Sequence, residues 1–140
     1  MMASQMKLGT LRYILVRTID VLGPNSSDST KEIPIDGDKF AYAIDGLVIF
    51  ANSVVNPHKL TIDFSLFTDL GEEKILQNFP YSIRGVRYNP NFIPLKKDTD
   101  YPILPSRKQI YIKISNNDSA NNVIGIAYAV LGYPILRGES

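Results

Sequence analysis

Apolar and polar residues alternate along most of the chain with a period of two, which is the pattern of β-strands with one buried face. The clearest case lies at residues 59–68, where Leu60, Ile62 and Phe64 alternate with polar neighbours. Residues 109–115 repeat the pattern with an isoleucine at every second position. Both segments are therefore predicted to be strands that turn one face to a core and the other to water.

Further strands are predicted where β-branched and aromatic residues concentrate between turn signals. These segments are residues 10–21, 39–52, 81–88 and 123–133, with a short edge strand at 31–35 that contains Pro34. Asp45-Gly46 interrupts the second segment, which indicates either a hairpin or one bent strand. Polar clusters at 23–29, 36–38 and 116–122 are predicted to be turns.

Alternation also predicts how the faces of two strands divide. In the first strand it groups Leu11, Tyr13, Leu15, Ile19 and Val21 on one side. In residues 123–133, one face carries only the small residues Gly125, Ala127 and Ala129. Small residues of this kind predict that another element packs closely against that face.

The predicted strands number about seven or eight, which suits a sandwich of two sheets. With 140 residues and no internal repeat, the chain has the length of one domain. We therefore predict an all-β, single-domain, antiparallel β-sandwich over residues 10–140, preceded by a polar N-terminal arm at residues 1–9.

One connection between the predicted strands does not show their alternating pattern. Residues 89–107 hold four prolines among large apolar side chains, and they exceed the ~12–15 residues usual for a loop without structure. A solvated linker has no need of apolar residues, so this segment is predicted to bury apolar surface between subunits. The residues expected at that contact are Phe92, Ile93, Leu95, Tyr101 and Ile103.

Positive and negative charges nearly cancel but are unevenly distributed. The chain has 15 Lys and Arg against 14 Asp and Glu, a net charge of +1, which argues against a generally basic nucleic-acid binder. Residues 20–73 carry three bases against ten acids, whereas residues 81–113 carry seven bases against two acids. Opposed segments can set the register between copies of one chain, and the simpler alternative is that these are solvated surface charges. The bases assigned to subunit or shell contacts are Arg84, Arg87, Lys96, Lys97, Arg107 and Lys108.

The composition removes most catalytic arrangements. The chain has no Cys, no Trp and one His, and His58 follows a proline in a polar segment with no neighbour that would orient it. Asp36 with Asp38, and Asp98 with Asp100, offer too few oxygens for calcium, so turns explain both pairs. No phosphate-binding glycine motif occurs. We therefore predict no enzyme activity, no metal and no cofactor.

Neither a membrane segment nor a secretion signal is predicted. The longest uncharged apolar run, at residues 123–136, falls short of the ~18 residues that a membrane helix needs. The first apolar stretch near the N-terminus carries Arg12 and Arg17, which a secretory signal would not contain.

The C-terminal third has an order of features specific enough to compare with known proteins. A proline-rich stretch precedes the sequence KQIYIKISNN at residues 108–117, which is followed by an apolar run and by Gly132-Tyr133. This order resembles the last hairpin of β-sandwich structural proteins from tailed bacteriophages, and residues 33–42 with 59–63 are similar to their opening strands. The resemblance implies a jelly-roll-like subunit, often a trimer, that decorates a capsid or fills a minor position in the virion. Its partners would be copies of itself and other capsid proteins.

Two alternative functions remain open beside this primary prediction of a non-enzymatic virion structural protein. A carbohydrate-binding β-sandwich would present Tyr42, Tyr111 and Tyr128 to sugar rings. A binder of single-stranded nucleic acid would use the bases and aromatic residues of 81–88, although alternation divides them between two faces.

Overall fold

The computed structural model describes residues 6–53, 59–81 and 91–136, and these residues form ten β-strands. In chain order the strands are β1 (Lys7–Leu8), β2 (Arg12–Leu22), β3 (Ser26–Glu32), β4 (Tyr42–Ser53), β5 (Leu60–Thr68), β6 (Gly71–Pro80), β7 (Asn91–Pro94), β8 (Ile103–Leu104), β9 (Ile110–Asn116) and β10 (Val123–Leu136). Every pairing between these strands is antiparallel.

The strands form two sheets that face each other across one core. In the larger sheet β10 lies between β2 and β4, while β1 pairs with the end of β10, and β7 and β8 pair with the far side of β4. In the smaller sheet the order is β3, β9, β5, β6. Because the chain passes repeatedly from one sheet to the other, this order is that of a jelly roll. The predicted antiparallel β-sandwich is confirmed, with ten described strands where about seven or eight were expected.

The inner strands bury the residues that alternation predicted. The inward side chains of β5 and β9 are fully buried, as are their partners on β4 and β10. The buried set from β5 and β9 is Leu60, Ile62, Phe64, Leu66, Ile110, Ile112 and Ile114. Burying one such side chain contributes about 1.5–3 kcal/mol, so this alternating pattern supplies most of the drive for the two sheets to close on each other.

The edge strands of the smaller sheet were not predicted correctly. Strand β3 begins at Ser26, inside the predicted turn 23–29, and it ends at Glu32 before the predicted edge strand 31–35 does. Strand β6 was not predicted at all. Both strands are polar and partly solvated, and their backbones pair with β9 and β5 whatever their side chains are. The predicted strand 81–88 lies outside the described residues from position 82 onwards.

Two irregularities bend the larger sheet. The register of β10 shifts against β4 between Leu131 and Gly132, so Asp45-Gly46 marks a bent strand and not a hairpin. A second shift, against β2, buries Ile14 and Leu15 in succession. The prediction that Tyr13 and Leu15 share one face of β2 is therefore wrong, because the bulge changes which face each residue takes.

The proline-rich connection contains structure of its own. Within it β7 and β8 pair with β4, and a tight turn joins Lys97 to Asp100 through reciprocal backbone hydrogen bonds of 2.8 and 2.7 Å. At the N-terminus, Lys7–Leu8 lies inside the predicted arm but pairs with β10 as β1.

One end of the sandwich is fixed by a buried side-chain amide. Asn116 Nδ2 donates to the carbonyl oxygens of Leu22, Gly23 and Asn121 at 3.1, 3.0 and 2.8 Å. These bonds tie the turn after β2 to the turn between β9 and β10, which was predicted at 116–122.

Candidate functional site

The outer face of the larger sheet carries an uncharged hollow at its centre, which we call the apolar groove. It measures about 330 Å³ and is lined by Tyr13, Val16, Val48, Phe50, Ala127, Tyr128 and Ala129. None of these residues is charged. The groove runs over β10, the strand in the middle of the sheet, with β2 and β4 as its two walls.

The groove arises from the difference in size between neighbouring outward residues. Ala129 lies between Val16 of β2 and Val48 of β4 in the cross-strand register. Ala127 similarly lies beside Phe50. Side chains on one face of adjacent strands stand next to each other, so an alanine row between larger residues leaves a channel. The small-residue face predicted for β10 is this floor.

The walls of the groove are open to solvent along the described chain. Tyr13 is 60% exposed and Val16 is 57% exposed, although both are large hydrophobic residues. Phe92 of β7 extends the same surface, since it pairs with Val48 and is 48% exposed. A Cβ atom at Gly46 would overlap the Phe92 ring, so the glycine is what lets this ring lie against the backbone of β4.

The outer face of the smaller sheet has a different character. It forms a hollow of about 580 Å³, the polar hollow, lined by Lys31, Asp63, Ser65, Phe67, Glu72, Lys74, Leu76, Gln77, Asn78, Tyr111 and Lys113. All four strands of the sheet contribute to it.

Cross-strand register arranges the polar hollow in rows. Lys31, Tyr111, Ser65 and Lys74 lie side by side across β3, β9, β5 and β6. In the next row Lys113 is opposite Asp63, whose Oδ1 accepts the backbone N–H of Asn78 at 3.2 Å.

An aromatic ring and an ammonium group meet in the polar hollow. Lys31 Nζ lies 4.1 Å from the centroid of the Phe67 ring, a cation–π contact. Among the described residues, the ion pairs within 4 Å are Arg12–Asp36, Arg17–Glu32 and Lys108–Asp69, so the three lysines of the hollow form none there.

The structure separates the three tyrosines that were predicted to meet sugars. Tyr42 and Tyr128 are buried in the core, so that part of the prediction is wrong, and Tyr111 is the one of the three that lines the polar hollow. The Tyr42 hydroxyl donates to the Ile35 carbonyl oxygen at 2.6 Å. Burial raises the pKa of Tyr128 to about 12, and the nearby Arg17 guanidinium acts in the opposite direction.

The chain has few detectable relatives. No protein-family model matches it, and neither does any curated protein. Three solved structures share its general shape: infectious bursal disease virus of the Gx strain (13% identity, TM-score 0.45), the Gt strain of the same virus (11%, 0.45), and the VP2 subviral particle of that virus (11%, 0.44). These matches cover 93%, 97% and 97% of this chain but only 33%, 33% and 34% of those chains. The chain thus spans about a third of the length of the structures it matches, and likeness at this level carries no functional inference.

The predicted contact residues of the proline-rich segment divide between core and surface. Ile93 and Leu95 are buried in the core of their own chain, so their apolar surface is already covered and we withdraw them from the contact set. Phe92 lies exposed beside the apolar groove. Ile103 is half-buried in β8, and Tyr101 packs edge-on against Tyr133 with their ring centroids 5.6 Å apart.

The predicted contact bases have varied surroundings. Lys96 Nζ lies 4.7 Å from the ring centroid of Tyr101, and Lys97 is exposed in the tight turn. Arg107 is exposed, whereas Lys108 Nζ pairs with Asp69 Oδ1 of the same chain at 3.0 Å. Arg84 and Arg87 lie outside the described residues, as does His58.

Within the described ranges, no group of three or more His, Cys, Asp or Glu side chains could hold a metal ion. In the same part of the chain, no helix has the length and apolar character needed to cross a membrane.

The residues that form the walls of the apolar groove were not predicted from the sequence. Val48 and Phe50 lie in a continuous apolar run, where alternation cannot tell an inward from an outward residue. The polar hollow was not predicted, because β3, β9 and β5 are neighbours in the sheet but do not follow one another in the sequence. The one available signal was Tyr111, which alternates with the buried isoleucines of β9 and so faces outward.

Proposed function

We propose that this chain is a non-enzymatic structural subunit of a virus particle, a capsid decoration or minor capsid subunit that acts through contacts with its own copies and with the shell. The observation that carries the proposal is the uncharged apolar groove, with exposed Val16 and Tyr13 on its wall. Contiguous exposed apolar surface of this kind marks protein interaction sites.

The groove suits a protein partner better than a reactive substrate. Its lining supplies no thiol, no carboxylate and no imidazole, and its ionisable residues are the two tyrosines Tyr13 and Tyr128. The exposed Phe92 ring extends the groove toward β7, so an apolar ridge of a partner subunit would cover both. We assign Phe92, Tyr101 and Ile103 to that contact.

Charged residues near the apolar surface would set the register of assembly. Lys96, Lys97 and Arg107 are exposed on the segment that follows β7, while the acidic residues concentrate between positions 20 and 73. Basic side chains of one copy would then face acidic side chains of the next, which guides encounter and register more than affinity. Lys108 contributes less, because it already pairs with Asp69.

The virion setting rests on the resemblance of the C-terminal segment to structural proteins of tailed bacteriophages. The strands that carry it, β9 and β10, lie in different sheets and do not pair, so they do not form the hairpin that the resemblance implied, and β10 supplies the floor of the groove. The segment of the chain that carries the resemblance thus also carries the proposed contact. A trimer is the oligomer that the resemblance suggests.

The proposal is tested by the native mass of the chain and by its location. Light scattering coupled to size separation should give a mass of about three times 15.7 kDa at micromolar concentration. Mass spectrometry of purified virus particles should find the chain at a fixed ratio to the major shell protein. A stable 15.7-kDa species across the concentration range, together with absence from particles, would contradict the proposal.

A further inference from the structure

We propose that the polar hollow of the smaller sheet is a binding site for a saccharide that carries a carboxylate. The inference goes beyond the proposed assembly function, because the hollow lies on the opposite sheet from the apolar groove. Each surface can therefore be tested without the other.

The size and floor of the hollow fit sugar rings. Its volume of about 580 Å³ falls within the ~300–1,000 Å³ range of small-molecule sites. Tyr111 lies on the floor between Lys31 and Ser65, and its half-buried ring is held by the rigid β9 strand. A fixed aromatic ring with a polar end offers an apolar face to the C–H side of a sugar and a hydroxyl to its rim.

The positive groups of the hollow identify an acidic ligand. Lys31, Lys74 and Lys113 all line it, and none forms an ion pair within the described part of the chain. In the cross-strand row Lys31 is next to Tyr111 on one side, and Ser65 followed by Lys74 lies on the other side. A lysine ammonium group of this row can bind the carboxylate of an acidic sugar by a charge-assisted hydrogen bond.

Acceptors in the same hollow distinguish a saccharide from a polyanion. Asp63 and Glu72 line the hollow together with the amides of Gln77 and Asn78. A polyphosphate or nucleic acid would meet these two carboxylates unfavourably. A sugar with several hydroxyl groups and a single carboxylate can use both sets, since its hydroxyls donate to the acids while its carboxylate accepts from the lysines.

The test compares matched acidic and neutral saccharides on the full chain. Isothermal titration and saturation-transfer NMR would use 3′-sialyllactose against lactose, and tri-galacturonate against galactotriose, at 0.15 M salt. At least one acidic saccharide should bind at least about tenfold more tightly than its neutral counterpart, the factor expected for one added charge-assisted contact.

Three variants define which groups bind. Tyr111→Ala should abolish binding, whereas Tyr111→Phe should retain most of it because the ring remains. The double variant Lys31→Gln/Lys74→Gln should lose the preference for the acidic saccharide. The matched control Lys39→Gln/Lys59→Gln removes two exposed lysines outside the hollow and should leave that preference intact.

Several outcomes would overturn the inference. These are no binding of either acidic saccharide, equal binding of acidic and neutral partners, or inorganic phosphate binding as tightly as 3′-sialyllactose. Circular dichroism would check that each variant is folded, and the lysine double variant tests the site independently of Tyr111→Ala. If the wild-type chain has the trimer mass but binds neither acidic saccharide, this inference alone is refuted and the assembly proposal stands.

Discussion

Replacing Val16 by lysine places a charge on the wall of the apolar groove without disturbing the core. The side chain points outward and is 57% exposed, so Val16→Lys should change the free energy of unfolding by no more than about 0.5 kcal/mol. If the groove is the subunit contact proposed above, assembly would cover this position, and the ammonium group would lose its water without gaining a partner.

The expected loss of affinity follows from the exposed area. Fully burying a valine side chain contributes about 1.5–3 kcal/mol, and the 57% still exposed accounts for about 0.9–1.7 kcal/mol of this in each contact. Losing this amount weakens association about 4- to 16-fold, because each 1.4 kcal/mol is a factor of ten in Kd. Desolvation of the lysine adds to that loss, so about fourfold is the minimum expected.

Val21→Lys is a matched control on the same strand. Val21 is 55% exposed, lies five positions further along β2 and does not line the groove. Sedimentation velocity over a dilution series would measure the association constant of both variants and the wild type. Equal association of Val16→Lys and wild type would refute the groove as an interface. If Val16→Lys and Val21→Lys weaken association equally, the added charge itself, and not its place in the groove, causes the loss of affinity.

Three further predictions concern the core and its polar groups. Ile93→Ala should lower the free energy of unfolding by about 2–5 kcal/mol in urea melts. Phe92→Ala should leave that free energy within about 1 kcal/mol of the wild-type value and should weaken self-association. A larger loss of stability from Phe92→Ala than from Ile93→Ala would contradict the exposed and buried positions assigned to these residues. Asn116→Ala should cost about 2–3 kcal/mol, because three carbonyl oxygens lose a buried donor, and a loss below 0.5 kcal/mol would argue against that role. The pKa of Tyr128 is about 12 in the folded chain and 10.0 in the unfolded chain. Because the unfolded chain releases this proton first, the contribution of Tyr128 to the free energy of unfolding is complete below pH 10 and is lost as the pH rises to 12. The stability of Tyr128→Phe should therefore fall about 2–3 kcal/mol less than that of wild type over this interval, and parallel pH curves would contradict the raised pKa.

Alternation was enough to predict the inner strands but not the edges of the sandwich. On β5 and β9 each inward residue is enclosed by the opposite sheet, so burial imposes the period of two on the sequence. Strands β3 and β6 have one neighbour each and partly solvated side chains, so their sequences carry no such constraint. The bulge opposite Leu131 shows a further limit, because the extra residue, Ile14, lies on β2 and reverses the alternation of faces there without any signal in the sequence.

The candidate surfaces were predictable only as far as single strands reveal them. The small residues of β10 indicated a close neighbour, and Tyr111 alternated with core isoleucines. Which residues stand beside them depends on sheet order, which pairs β10 with β2 and β9 with β3, strands far apart in sequence. Ile93 and Leu95 were misassigned for the same reason, since their segment joins the larger sheet through β7 and turns these side chains inward.

The two outer faces of the sandwich differ because different constraints act on their central strands. On β10 the outward positions hold alanine between valine walls, which provides apolar area and shape but no charge. On β9 the outward positions hold Tyr111 and Lys113, each with one charged residue and one serine as cross-strand neighbours. The outward face of a sheet is stable in water when its residues are polar, as they are on the smaller sheet. The uncharged apolar face of the larger sheet is instead typical of a surface that a partner covers. Assembly through the larger sheet would therefore leave the polar hollow of the smaller sheet open to solvent, where a soluble saccharide can reach it.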